Sequence, residues 1–186
     1  MKNPKDILLL ITGIVIFLLS YIYDNFVNIF FKNMRFPLLD YIFGIITNFA
    51  AVIIVILIIP LIALYRNKKR QAYLLFATFA VSVAVAFIIK LIVLRQRPSE
   101  ILYYPFFNVI DYSFPSMHAM IVFSLLPALF EYLPRQKNFW IFFAFIVSFT
   151  RIYFGLHFLS DVIFGAFFGY FLGTAIDLQM VLMFQN

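Results

Sequence analysis

Charge is nearly absent from long stretches of this chain, and this limits its possible folds more than any other feature. Of 186 residues, 65% are hydrophobic and 12% are charged, well outside the balance of a water-soluble domain. In hydrocarbon the backbone must satisfy its own hydrogen bonds, so only helices and closed barrels span a membrane. The apolar runs here are continuous rather than alternating, which argues against a barrel. Each helical crossing needs about 20 apolar residues. Six runs fit: Ile7–Tyr23, Tyr41–Tyr65 with an expected kink at Pro60, Gln71–Leu94, Pro115–Leu133, Phe139–Tyr153 and His157–Ile176. The expected fold class is therefore all-α, a six-transmembrane-helix bundle making one domain over residues 1–186. The first run is long for a signal-peptide core, and no small-x-small cleavage site follows it. We read it as a retained span.

Lysine and arginine placement orients the bundle. Lys2, Lys5, Arg66, Lys68, Lys69, Arg70, Arg135 and Lys137 share one side; Lys32, Arg35 and Arg95 are on the other. The bias predicts a multi-pass plasma-membrane protein with both termini cytoplasmic. The net charge of +6 does not imply nucleic acid as a partner, because the cations are divided between helix ends. There are no cysteines and only two histidines, which excludes thiolate metal sites and a histidine-rich cage. No metal or other cofactor is expected.

Asp24 to Arg35 reads as an amphipathic interfacial helix, with Phe26, Val27, Phe30, Phe31 and Met34 opposite Asn25, Asn28, Lys32 and Asn33. The Arg95–Phe114 loop carries Tyr103, Tyr104, Phe106 and Phe107, aromatics suited to the headgroup region. Asp24, Asp40, Glu100 and Asp111 are taken as solvated or structural.

Ionisable groups at membrane depth are costly and are read first as functional. Three clusters of them fall at the expected outer end. Lys90 lies one turn inside the third span, and Arg97 follows beside Pro98, which disfavours helical geometry at the arginine. Arginine grips phosphate oxygens bidentately, while lysine acts as a point charge. Pro115-Ser116-Met117-His118 opens the fourth span, with Pro115 expected at the first helical position. First-turn N–H groups there make an anion site, and the Ser116 hydroxyl adds a donor. His118 is placed to protonate a leaving oxygen. The third cluster is Thr150-Arg151 with His157 and Asp161. Four residues apart on one helix, His157 and Asp161 share a face, so the carboxylate can take one ring N–H and free the other nitrogen as a nucleophile. Gly165, Gly169 and Gly173 form a small-xxx-small run for close helix packing. Helical drift turns Gly173 away from the face shared by His157 and Gly165.

Lys90 with six residues before Arg97-Pro98, then Pro115-Ser116-Met117-His118, then Thr150-Arg151 with five residues before His157 and three more before Asp161, resembles the type 2 phosphatidic acid phosphatase (PAP2) family. Pro37-Leu38-Leu39-Asp40 is similar to its membrane branch. The resemblance implies a PAP2/haloperoxidase-like core and a site open at the extracytoplasmic face. By that resemblance His157 attacks phosphorus, Asp161 orients it, and His118 protonates the leaving group. Lys90, Arg97, Ser116, Met117 and Arg151 hold the phosphate oxygens, with cations in place of a metal. Met117 stands where the family usually has glycine and acts through its backbone N–H; Thr150 replaces the usual serine.

Singly, these residues have ordinary explanations: a snorkelling Lys90, an interfacial Arg97, a structural His118, a helix-capping Ser116, an Arg151–Asp161 ion pair. Jointly they point to a lipid phosphatase. The expected substrate is a lipid phosphate or diphosphate, a polyprenyl diphosphate such as undecaprenyl diphosphate first, phosphatidic acid or phosphatidylglycerol phosphate next. The alternatives are a phosphotransferase using the same phosphohistidine and a silent lipid-binding or translocating protein. Its partners are then membrane lipids; the sequence leaves oligomeric state open.

Overall fold

The computed structural model describes residues 4–46, 48–98, 102–104 and 109–184. Lys2, Glu100, Phe106, Phe107 and Asn108 lie outside them, and the side chains of Tyr103 and Tyr104 are not described. The described residues form helices α1 (Pro4–Asn33), α2 (Pro37–Ile46), α3 (Phe49–Tyr65), α4 (Lys69–Val93), α5 (Met117–Ser124), α6 (Leu126–Tyr132), α7 (Lys137–Tyr153) and α8 (Leu159–Phe184). Between α4 and α5 runs an antiparallel ribbon, β1 (Leu102–Tyr104) with β2 (Val109–Asp111), pairing Leu102 with Asp111. The all-helical expectation thus holds apart from this short ribbon.

Among the described residues, three helices are long and apolar enough to cross a membrane: Leu10–Asn33, Lys69–Val93 and Leu159–Leu182. Val52–Tyr65 and Met117–Tyr132 are shorter apolar helices. The second predicted span is divided between α2 and α3, and α3 continues through Pro60 as one helix. The fourth is divided between α5 and α6. Pro127 lies in the first turn of α6, where its missing N–H cannot continue the ladder from α5.

α1 shows how the chain meets lipid. Leu8, Ile11, Val15, Leu18, Ile22 and Phe26 recur every three or four residues and point outward. An exposed apolar stripe of that length is stable only against hydrocarbon. The opposite stripe, Gly13, Phe17, Ser20, Asp24, Val27 and Phe31, turns inward. Asp24–Asn33 is therefore no separate surface helix, as the sequence suggested, but the last turns of α1. Val27 and Phe31 pack against the Ala119, Ile152 and Val162 cluster, while Phe26, Phe30 and Met34 stay exposed.

The main core lies among α3, α4, α5, α6 and α7, from Val52 and Leu74 through Met120 and Leu126 to Val147. α8 closes on α5 through glycines. A Cβ at Gly165 would come 2.8 Å from the Ser116 carbonyl oxygen, Gly169 sits against the Met120 carbonyl and Gly173 against the Ser124 carbonyl. All three glycines therefore face α5, Gly173 included, which corrects the expected drift. Their partners also advance four residues at a time, so the ridges on both helices rotate together and stay in contact.

The bundle has two polar ends. At one, Arg70 pairs with Glu131 at 2.7 Å and lies 3.8 Å from Asp177. At the other stand Lys90, Arg95, Arg97, Arg151, His157 and Asp161.

Candidate active site

α4 ends at Val93, where Leu94 adopts a left-handed conformation and its N–H returns to the Lys90 carbonyl at 3.0 Å. This leaves Lys90 on the last helical turn and Arg97 in extended chain. Both are bound by one segment. Lys90, 2% exposed, holds Asp111 Oδ1 at 2.9 Å and donates to the Tyr112 carbonyl. Arg97 donates to the Asp111 carbonyl at 2.9 Å, to Asp111 Oδ2 at 2.5 Å and to the Leu156 carbonyl at 2.5 Å. Burial pushes the Asp111 carboxyl up, but the Lys90 and Arg97 charges outweigh it and hold it below the usual carboxylate range. Asp111 therefore sits as an anion between two cations expected to bind phosphate.

The spacing between Arg151 and His157 is built by the end of α7. Leu156 N–H returns to the Arg151 carbonyl at 3.0 Å and Gly155 N–H to the Ile152 carbonyl at 2.9 Å. Gly155 takes φ 67°, the left-handed position of a Schellman cap, where a Cβ is penalised. The turn delivers His157, 3% exposed, beside Arg97, with Nε2 at 3.3 Å from Nη1. A guanidinium can only donate, so this contact suits an Nε2 lone pair and a proton on Nδ1.

His157 precedes α8 rather than opening it, which corrects the expected shared helical face. Its Nδ1 lies 3.7 Å from Asp161 Oδ2, beyond hydrogen-bond length, and 3.5 Å from Ser113 Oγ. Asp161 is fixed by other groups. Its Oδ2 accepts from Phe158 N–H at 2.9 Å and from the Ser113 hydroxyl. As the third residue of α8 it reaches back to the cap residue, half of a capping box. Its Oδ1 takes Arg95 Nη1 at 2.6 Å. Asp161 thus pairs with Arg95, not Arg151.

Ser116 caps α5, so Pro115 falls just outside the helix instead of at its first position. Ser116 N–H donates to the Asp161 carbonyl at 3.1 Å, which ties α5 to α8 and removes that N–H from the anion site. The N–H groups that follow, beginning with Met117, lack intrahelical acceptors by helix geometry. Ser116 Oγ is fully buried with no hydrogen-bond partner among the described residues, a donor held in reserve. The Met117 side chain turns into the main core, which leaves its backbone N–H as the group it presents at the start of α5. His118, on the first turn of α5, lies within electrostatic reach of Arg151, His157, Arg97 and Lys90. Arg151 is buried and contacts Thr150 Oγ1 at 3.1 Å through Nη2.

Four neighbours of the candidate site carry no functional signal in the sequence. Charge bias places Arg95 with topology, Asp24 and Asp111 read as structural or solvated, and Ser113 belongs to none of the clusters. Only their nearness to Arg97 and Pro115 hinted at Arg95, Asp111 and Ser113; nothing marked Asp24.

Residues 70–182, holding every one of the predicted site residues, match the family model of the PAP2 superfamily. The chain belongs to the PAP2 superfamily. Its PAP2 fold is similar to that of a transmembrane PAP2-type phosphatidylglycerolphosphate phosphatase from Bacillus subtilis, with TM-score 0.68 and 20% identity over 90% of this chain and 93% of that one. No curated protein matches the chain. With its exposed apolar stripes, this PAP2 chain is a helical membrane protein.

Proposed function

We propose that the protein is a metal-independent lipid phosphatase working through a phosphohistidine. The observation that supports it most is the anion slot: a carboxylate bridges Lys90 and Arg97 while Arg97 touches His157 Nε2 at 3.3 Å. A phosphate that draws Arg97 onto its own oxygens, away from Asp111 and from His157 Nε2, frees that ring nitrogen's lone pair to attack. Nε2 forms the N–P bond as the bond from phosphorus to the leaving oxygen breaks, and His118 gives that oxygen its proton. Water then attacks phosphorus, His118 takes back a proton, and the N–P bond breaks. Lys90, Arg97, Arg151, Ser116 and the Met117 N–H stabilise charge on the equatorial oxygens.

The substrate class is a lipid phosphate or diphosphate. A polyprenyl diphosphate is favoured; phosphatidylglycerol phosphate, the substrate named for the Bacillus subtilis relative, and phosphatidic acid follow. The shorter helices α3, α5–α6 and α7 complete six crossings, and the charge bias puts the site at the extracytoplasmic face with both termini cytoplasmic.

Phosphate release from these three lipids, measured in detergent with excess EDTA, tests the reading. Vanadate should inhibit, His157→Ala should abolish turnover and Ser116→Ala should leave a measurable fraction. Full activity in His157→Ala, or a strict divalent-metal requirement, overturns the mechanism. A cysteine at Asn108 should react with an impermeant reagent outside intact cells; labelling only after lysis reverses the orientation.

A further inference from the structure

We propose that Asp24, on α1, is a positioning residue for the histidine nucleophile, acting through Arg95 and Ser160 on Asp161. The inference rests on the role given to His157 above. Asp24 is 4% exposed on a helix whose outer stripe is wholly apolar. A carboxylate in such a place is costly unless fully paired, and it is. Its Oδ1 accepts from Ser160 N–H at 2.8 Å; its Oδ2 accepts from Ser160 Oγ at 2.6 Å and Arg95 Nη2 at 2.7 Å. Arg95 spends its other terminal nitrogen on Asp161 Oδ1 at 2.6 Å and Ser160 Oγ at 2.8 Å. Phe158 stacks on the guanidinium, whose carbon is 4.1 Å from the ring centroid.

One guanidinium therefore clamps two carboxylates, and the residue beside Asp161 is held by both its backbone and its side chain. This division leaves Asp161 Oδ2 facing Ser113, Phe158 N–H and His157. Without the Asp24 carboxylate, Arg95 turns its whole fork on Asp161, because bidentate pairing is the stronger geometry. Oδ2, 3.7 Å from Nδ1, is then drawn farther from the imidazole, and the electrostatic hold on the nucleophile's orientation weakens. Misplacement of about 1 Å at a reacting group can cost ~100-fold in rate. Asp24 lies outside the 70–182 segment that the family model matches, so this support comes from the N-terminal helix.

The test compares Asp24→Asn, Arg95→Gln and the double variant in detergent, with dioctanoyl phosphatidic acid and farnesyl diphosphate as probes. Ser20→Ala, which removes only a hydroxyl bonded to the Phe17 carbonyl within α1, is the control. Asp24→Asn should lower kcat about tenfold or more with KM within about twofold, and the double variant should be no slower than Arg95→Gln, as expected for residues acting as one unit. Ser20→Ala should match the wild type. If Asp24→Asn does not fold, Asp24→Glu and Arg95→Lys carry the test: both keep the charge and displace or lose the fork, and both should lower kcat at unchanged KM. Wild-type kcat in the Asp24 variants, losses that multiply in the double variant, or kcat and KM moving together overturn the proposal. A wild-type protein inactive on both probes, by contrast, sinks the phosphatase reading itself.

Discussion

Two carboxylates flank the candidate nucleophile, and they are held in opposite ways. Asp111 stands on a three-residue strand and is bonded to Lys90 and Arg97, the cations proposed to meet substrate. Asp161 stands in the first turn of a 26-residue helix, bonded to Arg95, Ser113 and the Phe158 N–H. Both are nearly dry and both are ion-paired. Their difference lies in what substrate would do to each. A phosphate competes with Asp111 for its partners, whereas none of the partners of Asp161 is a proposed phosphate ligand. Burial of a charge therefore does not identify its role; the identity of its partners does.

That contrast can be broken in several ways. The largest effect belongs to Asp161. Asp161→Asn keeps the shape but removes the charge proposed to orient the imidazole, and kcat should fall by roughly 10² to 10⁴, the scale seen when a histidine loses its orienting carboxylate. Phosphate release measured at saturating lipid gives the number, and loss below tenfold would put Asp161 on a par with Asp111.

Asp111→Asn should act in the other direction on binding. With two buried cations uncompensated, vanadate should inhibit about tenfold more tightly, equivalent to about 1.4 kcal/mol. In anion-free buffer the same variant should melt at lower temperature and recover when vanadate is added, since a ligand of the folded state stabilises it. The same carboxyl shapes the acid limb of the stability curve. A depressed carboxyl contributes stability above its unfolded pKa of about 3.9 and loses it as pH falls through the folded value. The loss of melting temperature below about pH 4 should accordingly be shallower in Asp111→Asn.

Smaller effects separate packing from chemistry. Ala at Gly169 must push on the Met120 backbone, an overpacking cost of about 1–3 kcal/mol, and should lower the melting temperature while leaving KM unchanged. The smallest change is expected at Gly44, in α2, where a Cβ meets nothing within 4 Å. Gly44→Ala should be neutral or stabilise by up to about 1 kcal/mol through helix propensity, read by thermal melting.

Much of the fold was readable because hydrocarbon imposes a simple rule. Gln71–Leu94 and Phe139–Tyr153 were expected, and α4 and α7 lie within two residues of those bounds. The breaks were less readable. Pro60, the expected kink, stands inside a continuous α3, whereas nothing in the sequence marks Pro127, in the first turn of α6, as the end of α5's ladder. A proline shows where an N–H is missing, but packing decides whether the helix tolerates it. The amphipathic look of Asp24–Arg35 misled for a related reason: near a membrane surface an inward polar stripe and an outward polar stripe have the same sequence period.

The sequence alone determined that this chain lives in a bilayer, and that Lys90, Arg97, Ser116, His118, Arg151, His157 and Asp161 stand in the order and spacing of the PAP2 motifs. Those features depend on composition and on local spacing along one helix or turn. Only the tertiary structure decided that Arg95 serves Asp161, that Asp111 occupies the cations, and that α1 reaches the site through Asp24. Pairing between residues 71 and 136 positions apart depends on which helix faces cross, and no local pattern encodes that.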